Sequence, residues 1–273
     1  IAPTVDKDTN MTFKVVAFDN KNAGASATTI VKILAFQKQQ NETNEDFAEK
    51  LMNENLQELI NEGNFERIIQ YIDNVAEVLR LSTGTDPESI QKRSALKDKL
   101  SELYKAVFSS NVNFINGDLR KSVISTLTKL LGKINEISEN TASNTLELLS
   151  LTFNFEDENN VHSVVESIPK EIGQQAVSTI SNLIEASGFD EKNETEKIVK
   201  TILGIGKLSL VDKPAGSKIQ FNSSQINFVQ SREYVSEING KNIENDESGI
   251  TIPNGIFDHL DSSVFELVSF IDI

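Results

Sequence analysis

The feature that most constrains this chain is a change of hydrophobic period. From about Asn44 to Leu203 apolar residues recur at helical spacing with almost no strand signal, and on either side they alternate. An alternating pattern places one set of side chains on one face of a strand, and a 3.6-residue pattern does the same for a helix. The order is therefore strand, then helices, then strand. The predicted fold class is α+β, a central α-helical bundle flanked by an N-terminal β-sandwich end and a C-terminal incomplete β-domain. The segments expected are a sandwich end over 1–36, a linker over 37–43, a helical bundle over 44–206 and the start of a β-rich unit over 215–273.

At the N-terminal side, Met11-Thr-Phe-Lys-Val-Val-Ala-Phe18 alternates, with Phe13, Val15 and Ala17 on one face. Asp19 to Gly24 supplies turn residues, and Ala27 to Leu34 is a second β-branched run, so a hairpin is expected. Two strands do not bury a face. Partner strands are expected before Ile1, and the strands at both ends are expected to lack partners within the chain.

The first helix is predicted from Asn44, with Glu45 and Asp46 in the first turn, where acids suit the helix dipole, and Gly63 ends it. A second carries Phe65, Ile68, Ile69, Ile72, Val75, Ala76 and Leu79 at i, i+3, i+4, i+7 spacing. Thr85-Asp-Pro-Glu88 is a start signal for a third. Asn116-Gly-Asp118 opens a fourth, a weaker fifth covers 143–151, and a sixth begins near Asp157 and breaks at Pro169. A last helix is expected over 194–203, stopped by Gly204-Ile-Gly206. Ile68, Ile72, Leu79, Leu100, Leu127, Leu131, Ile180 and Leu183 are expected to meet in one core. Beyond Gly206 the pattern returns to alternation at Lys218 to Phe221, Gln225 to Gln230, Gly249 to Pro253 and Val264 to Ile273.

A net charge of -15 disfavours nucleic acid, because a binder needs clustered Lys and Arg to displace counterions. With no cysteine, a disulfide framework, a thiolate metal site and a Cys nucleophile are excluded. No apolar run reaches the roughly 18–20 residues of a membrane helix. The chain opens on Ile1-Ala-Pro3 and closes on an apolar strand-like segment, which reads as an internal piece of a longer protein.

No catalytic constellation is present. His162 and His259 each lack a second His or a Glu at metal-ligand spacing, and no nucleophile elbow, phosphate loop or dinucleotide fingerprint occurs. Asp6, Asp8 and Asp19 could neighbour one another at a sandwich end and bind Ca²⁺ through oxygen ligands, but three acids near turns are common on a solvated surface. No catalytic, metal or cofactor residue is therefore assigned, and no cofactor is expected. Candidate N-glycosylation sequons stand at Asn10, Asn41, Asn193 and Asn222. With 27 Asn and 44 Ser or Thr among 273 residues, chance alone yields about four such triplets. Only their positions, in turns or near element ends, are informative.

Thr12-Phe-Lys-Val-Val-Ala-Phe-Asp19, Gly24-Ala-Ser26 and Thr28 to Leu34 resemble the last two strands of a PKD or receptor-for-egg-jelly (REJ) type immunoglobulin-like module. The helical block is similar to the first subdomain of a GPCR autoproteolysis-inducing (GAIN) domain. Ile250-Thr-Ile-Pro253 and Val264 to Ile271 resemble the opening strands of its second, β-rich subdomain. Together they resemble the juxtamembrane ectodomain of polycystin-like and REJ proteins. That resemblance implies a non-enzymatic, structural, adhesive or force-bearing segment on the extracellular face of the plasma or ciliary membrane. Its partners would be neighbouring domains of the same chain and other proteins, with no nucleic acid, and with membrane contact only through parts outside this segment. The sequence departs from the family's cleavage motif, a His-Leu before Ser or Thr flanked by cysteines. Here Asp261 follows His259-Leu260 and cannot supply the hydroxyl nucleophile. The alternative reading is an intracellular helical scaffold whose flanking strands dock partners.

Overall fold

The structure, a computed structural model, describes residues 9–18, 24–33, 38–39, 41–110, 116–153, 166–186, 191–234, 242–244, 249–251 and 265–272. It is α+β, a bundle of helices with β pieces on both sides.

Strands β1 (Thr9–Phe18) and β2 (Gly24–Ile33) form an antiparallel hairpin in which Phe13 pairs with Thr29, Val15 with Ala27 and Thr12 with Ile30. Alternation puts Phe13 and Val15 on one face and Val16 and Ile30 on the other. All four are exposed, Val15 and Ile30 by 67% and 66%. The hairpin thus carries uncovered apolar side chains on both faces.

The chain enters the bundle through α1 (Asn44–Leu51), a π-helical turn (Met52–Leu56) and α2 (Gln57–Glu62). Thr43 caps α1, its Oγ1 accepting from the Asp46 amide at 3.0 Å and donating to Asp46 Oδ2 at 2.7 Å. The π turn has a reason in the sequence. At about 100° per residue, Leu56 and Leu59 would drift out of the stripe begun by Phe47, Ala48 and Leu51. One extra residue in the turn rotates them back by about 100°, and all five are buried. Gly63 ends α2 in the left-handed region at φ 71°, where glycine costs nothing.

Helices α3 (Phe65–Arg80), α4 (Pro87–Ser109), α5 (Gly117–Leu130) and α6 (Glu139–Phe153) follow. Asn64, Asp86 and Asn116 cap the first three through side-chain oxygens, and Pro87 holds the first position of α4. The fifth predicted helix is longer than 143–151, because Ser138 Oγ accepts from the Thr141 amide and starts it early. A 3₁₀ turn (Ile134–Glu136) joins α5 to α6. The predicted start of a helix near Asp157 lies outside the described residues. Pro169 stands immediately before α7 (Lys170–Glu185), where its missing N–H is harmless.

The predicted stop at Gly204-Ile-Gly206 is corrected. Helix α8 (Glu191–Leu210) runs through both glycines. Ile202, Ile205, Leu208 and Leu210 are buried along it, and that burial outweighs the roughly 1 kcal/mol each helical glycine costs.

Strands β3 (Ser217–Asn222), β4 (Asn227–Tyr234) and β7 (Phe265–Asp272) form an antiparallel sheet in the order β3-β4-β7. The short strands β5 (Asn242–Glu244) and β6 (Gly249–Thr251) pair with each other. The expectation that the C-terminal strands lack partners within the chain is corrected here. Phe221 and Phe228 stack with ring centroids 6.0 Å apart, and with Ile219 and Ile226 they belong to the same core as the helices. Two glycines make room for them. A Cβ on Gly173 of α7 would lie 2.5 Å from Phe221 Cζ, and one on Gly206 of α8 would lie 2.5 Å from Phe228 Cζ. All eight aliphatic residues expected to meet, from Ile68 to Leu183, are buried in that one core.

Candidate functional site

Two features of the bundle gather polar chemistry. One is interior. Arg93 and Lys97 stand one turn apart on α4, on the stripe that Leu100 and Tyr104 continue. Arg93, with a side chain 1% exposed, places Nη1 2.7 Å from Glu45 Oε1 of α1 and Nη2 2.7 Å from Glu136 Oε1 of the 3₁₀ turn. Its Nε donates to the same Glu136 oxygen at 2.8 Å, and Nη2 donates to the Gly84 carbonyl at 2.6 Å. Lys97 Nζ sits 2.9 Å from Glu136 Oε2, and Lys133 reaches the Ser82 carbonyl. Two carboxylates and three cations thus lock together α1, the 82–84 connection, α4 and the turn at 133–136.

The protonation of this cluster follows from competing effects. Burial alone pushes the Glu136 carboxyl up, but hydrogen bonds and charge from Arg93 and Lys97 outweigh it and hold the group below its usual range. Burial likewise works against the Arg93 cation, and Glu136 and Glu45 overcome it, so Arg93 is raised. Lys97 goes the other way. Burial pushes it below its ordinary value, and Glu136 offsets only part of that. Every charge here faces a fixed partner, so the cluster ties elements together and offers no free acid or base.

The second feature is an open groove of about 800 Å³. The first turns of α3 and α5 both line it, through Asn64, Phe65, Ile69, Asn116, Leu119 and Ser122. Further along the same pair, Asp73 Oδ2 meets Lys129 Nζ at 2.7 Å. The two helices therefore run in the same direction, with both N-termini at the groove. One amide at the start of α3 and two at the start of α5 are already used. Asn64 Oδ1 accepts from the Arg67 amide at 3.1 Å, Asn116 Oδ1 accepts from the Leu119 amide at 2.8 Å, and Glu166 Oε2 accepts from the Gly117 amide at 2.7 Å. Glu66 and Asp118 also line the groove. An anion would meet acids and engaged donors there.

Among the described residues, no group of three or more His, Asp or Glu is placed to share a metal ion, and no helix is long and apolar enough to cross a membrane. His162, His259, Asp6, Asp8 and Asp19 lie outside the described residues. Of the four sequons, Asn10 is exposed on β1 opposite Lys32. Asn41 is exposed in a turn, with its backbone left-handed at φ 77°. Asn222 is exposed at the end of β3, and Asn193 falls within the span of α8. The structure does not bring these four together into a site.

Sequence reasoning missed the Arg93 cluster. A signal was present, because Arg93 and Lys97 sit at i and i+4 in phase with Leu96 and Leu100. Nothing in the sequence names partners 43 and 48 residues away. The sequence matches no protein-family model and none of the curated proteins.

Proposed function

We propose that this chain is a non-enzymatic, load-bearing or adhesive segment in the extracellular part of a larger membrane protein similar to the polycystin-like and REJ proteins. The observation that carries this reading is the single core that runs from Phe47 of α1 to Phe228 of β4. A body built this way transmits strain as one unit, because close-packed interiors are stiff. Around it the polar chemistry is structural, with each charge of the Arg93 cluster engaged. The hairpin adds apolar side chains uncovered on both faces, which suits contact with a neighbouring module.

Intact cells of the native source provide the test. A membrane-impermeant amine reagent should label the exposed lysines, and mass analysis should find an enzyme-removable glycan at Asn41, the sequon held in an exposed turn. Labelling only after permeabilisation, with no glycan at Asn10, Asn41, Asn193 or Asn222, would replace this reading with the intracellular scaffold.

A further inference from the structure

The first turn of α1 is where the chain joins the bundle, and it is tied to α4 by two carboxylates, with Glu49 of the next turn adding a third, on two consecutive cations. Glu45 meets Arg93 at 2.7 Å in the interior, with side chains 10% and 1% exposed. Asp46 and Glu49 meet Lys92 at 2.5 Å and 3.1 Å on the surface. The inner link does not end on α4. Arg93 continues to Glu136 in the turn before α6 and to the Gly84 carbonyl in the connection before α4. The Thr43 cap holds the same turn against fraying.

We propose that the first turn of α1 is a mechanical clamp, in which tension arriving through the residues before Asn41 is passed by Glu45 to Arg93 and shared by α4, the 82–84 connection and the 134–136 turn before α1 peels away. This rests on the load-bearing reading above. Apolar contacts are individually weak and release one after another. A buried ion pair resists separation more abruptly, since parting it leaves two charges in a poorly solvated interior. Exposed pairs gain little beyond their hydration. Glu45 is therefore the determining residue, and Lys92 is the natural control.

The chain has no cysteine, so Asn41→Cys and Asp212→Cys, both at exposed positions, give specific handles for single-molecule pulling on all 273 residues. At fixed load, Glu45→Gln should speed the first opening step by more than about tenfold. Glu45→Asp, which keeps the charge and shortens its reach, should give a smaller increase. Lys92→Met should change the step by less than about twofold. Leu183→Ala, a core truncation in α7, should lower equilibrium stability while leaving the first step within about twofold. Equal acceleration by Glu45→Gln and Leu183→Ala, or none by Glu45→Gln, overturns the clamp. The measurement uses the isolated chain, so its failure is separate from a failure of the cell-surface experiment, which decides the load-bearing reading.

Discussion

Glu136→Gln is the sharpest test of the interior network. The substitution keeps shape and removes one charge, leaving Arg93 with Glu45 alone and Lys97 without its carboxylate. Arg93 and Lys97 have side chains 1% and 2% exposed, so water cannot replace the lost partner without opening the core. Removing one member of such a buried pair costs about 3–5 kcal/mol, a large part of the roughly 5–15 kcal/mol that holds a domain folded. For a chain of this size that is a fall in Tm of about 6–20 °C. Urea and thermal unfolding followed by far-ultraviolet circular dichroism would read it. The pH dependence gives a second signature. Glu136 is depressed in the folded state. Its stabilisation is present above the unfolded value of about 4.5 and is lost as pH falls through the lower folded value. The Glu136→Gln chain should therefore show a flatter acid limb. Lys97 is also depressed, so its charged form opposes folding, and stability should rise with pH between its folded value and 10.5. Replacing Glu45, Arg93, Lys97 and Glu136 together by apolar residues of similar volume should restore much of the stability, since no buried charge is then left without a partner. A loss below about 1 kcal/mol for Glu136→Gln, the size expected of an exposed pair, would refute the reasoning.

Gly206→Ala should destabilise by about 1–3 kcal/mol, because the new methyl runs into Gln230 Oε1 and falls 2.5 Å from Phe228 Cζ. Open helical positions respond to the same change with a gain of up to about 1 kcal/mol, so a raised Tm would contradict the packing. Leu127→Ala, at a fully buried position, should cost about 2–5 kcal/mol in urea titration. In hydrogen exchange, amides of 217–234 should be protected to the same degree as α7 and α8, whose core they share, while the hairpin 9–33 exchanges fastest. Fast exchange across 217–234 would detach that sheet from the bundle. Intact mass should show no cut at Leu260 after long incubation, since Asp261 supplies no hydroxyl.

The sequence by itself determined what is local. Period assigned helix to the middle and strand to the flanks, and local start signals set helices near Asn44, at Thr85-Asp-Pro-Glu88 and at Asn116. These signals act within one or two turns, where a side-chain oxygen and the amide it satisfies are three residues apart. Burial of Ile68, Ile72, Leu127 and Ile180 was equally legible, because a stripe of large aliphatic residues has nowhere else to go. Tertiary structure decided the rest. The two glycines of α8 read as a stop, and the helix continues through them because Ile202, Ile205, Leu208 and Leu210 are buried along it, with Phe228 and Gln230 of β4 packed against Gly206. The sheet β3-β4-β7 read as unfinished, and closes onto α7 and α8 through Phe221 and Phe228. Arg93 and Lys97 carried no reading in the sequence, because Arg93 meets Glu136 and Glu45 across 43 and 48 residues and Lys97 depends on the same Glu136. Local pattern fixes which face of an element is turned inward. Only the packed arrangement fixes what waits there, since the free energy of a buried charge or a close glycine contact belongs to the pair and to neither residue alone.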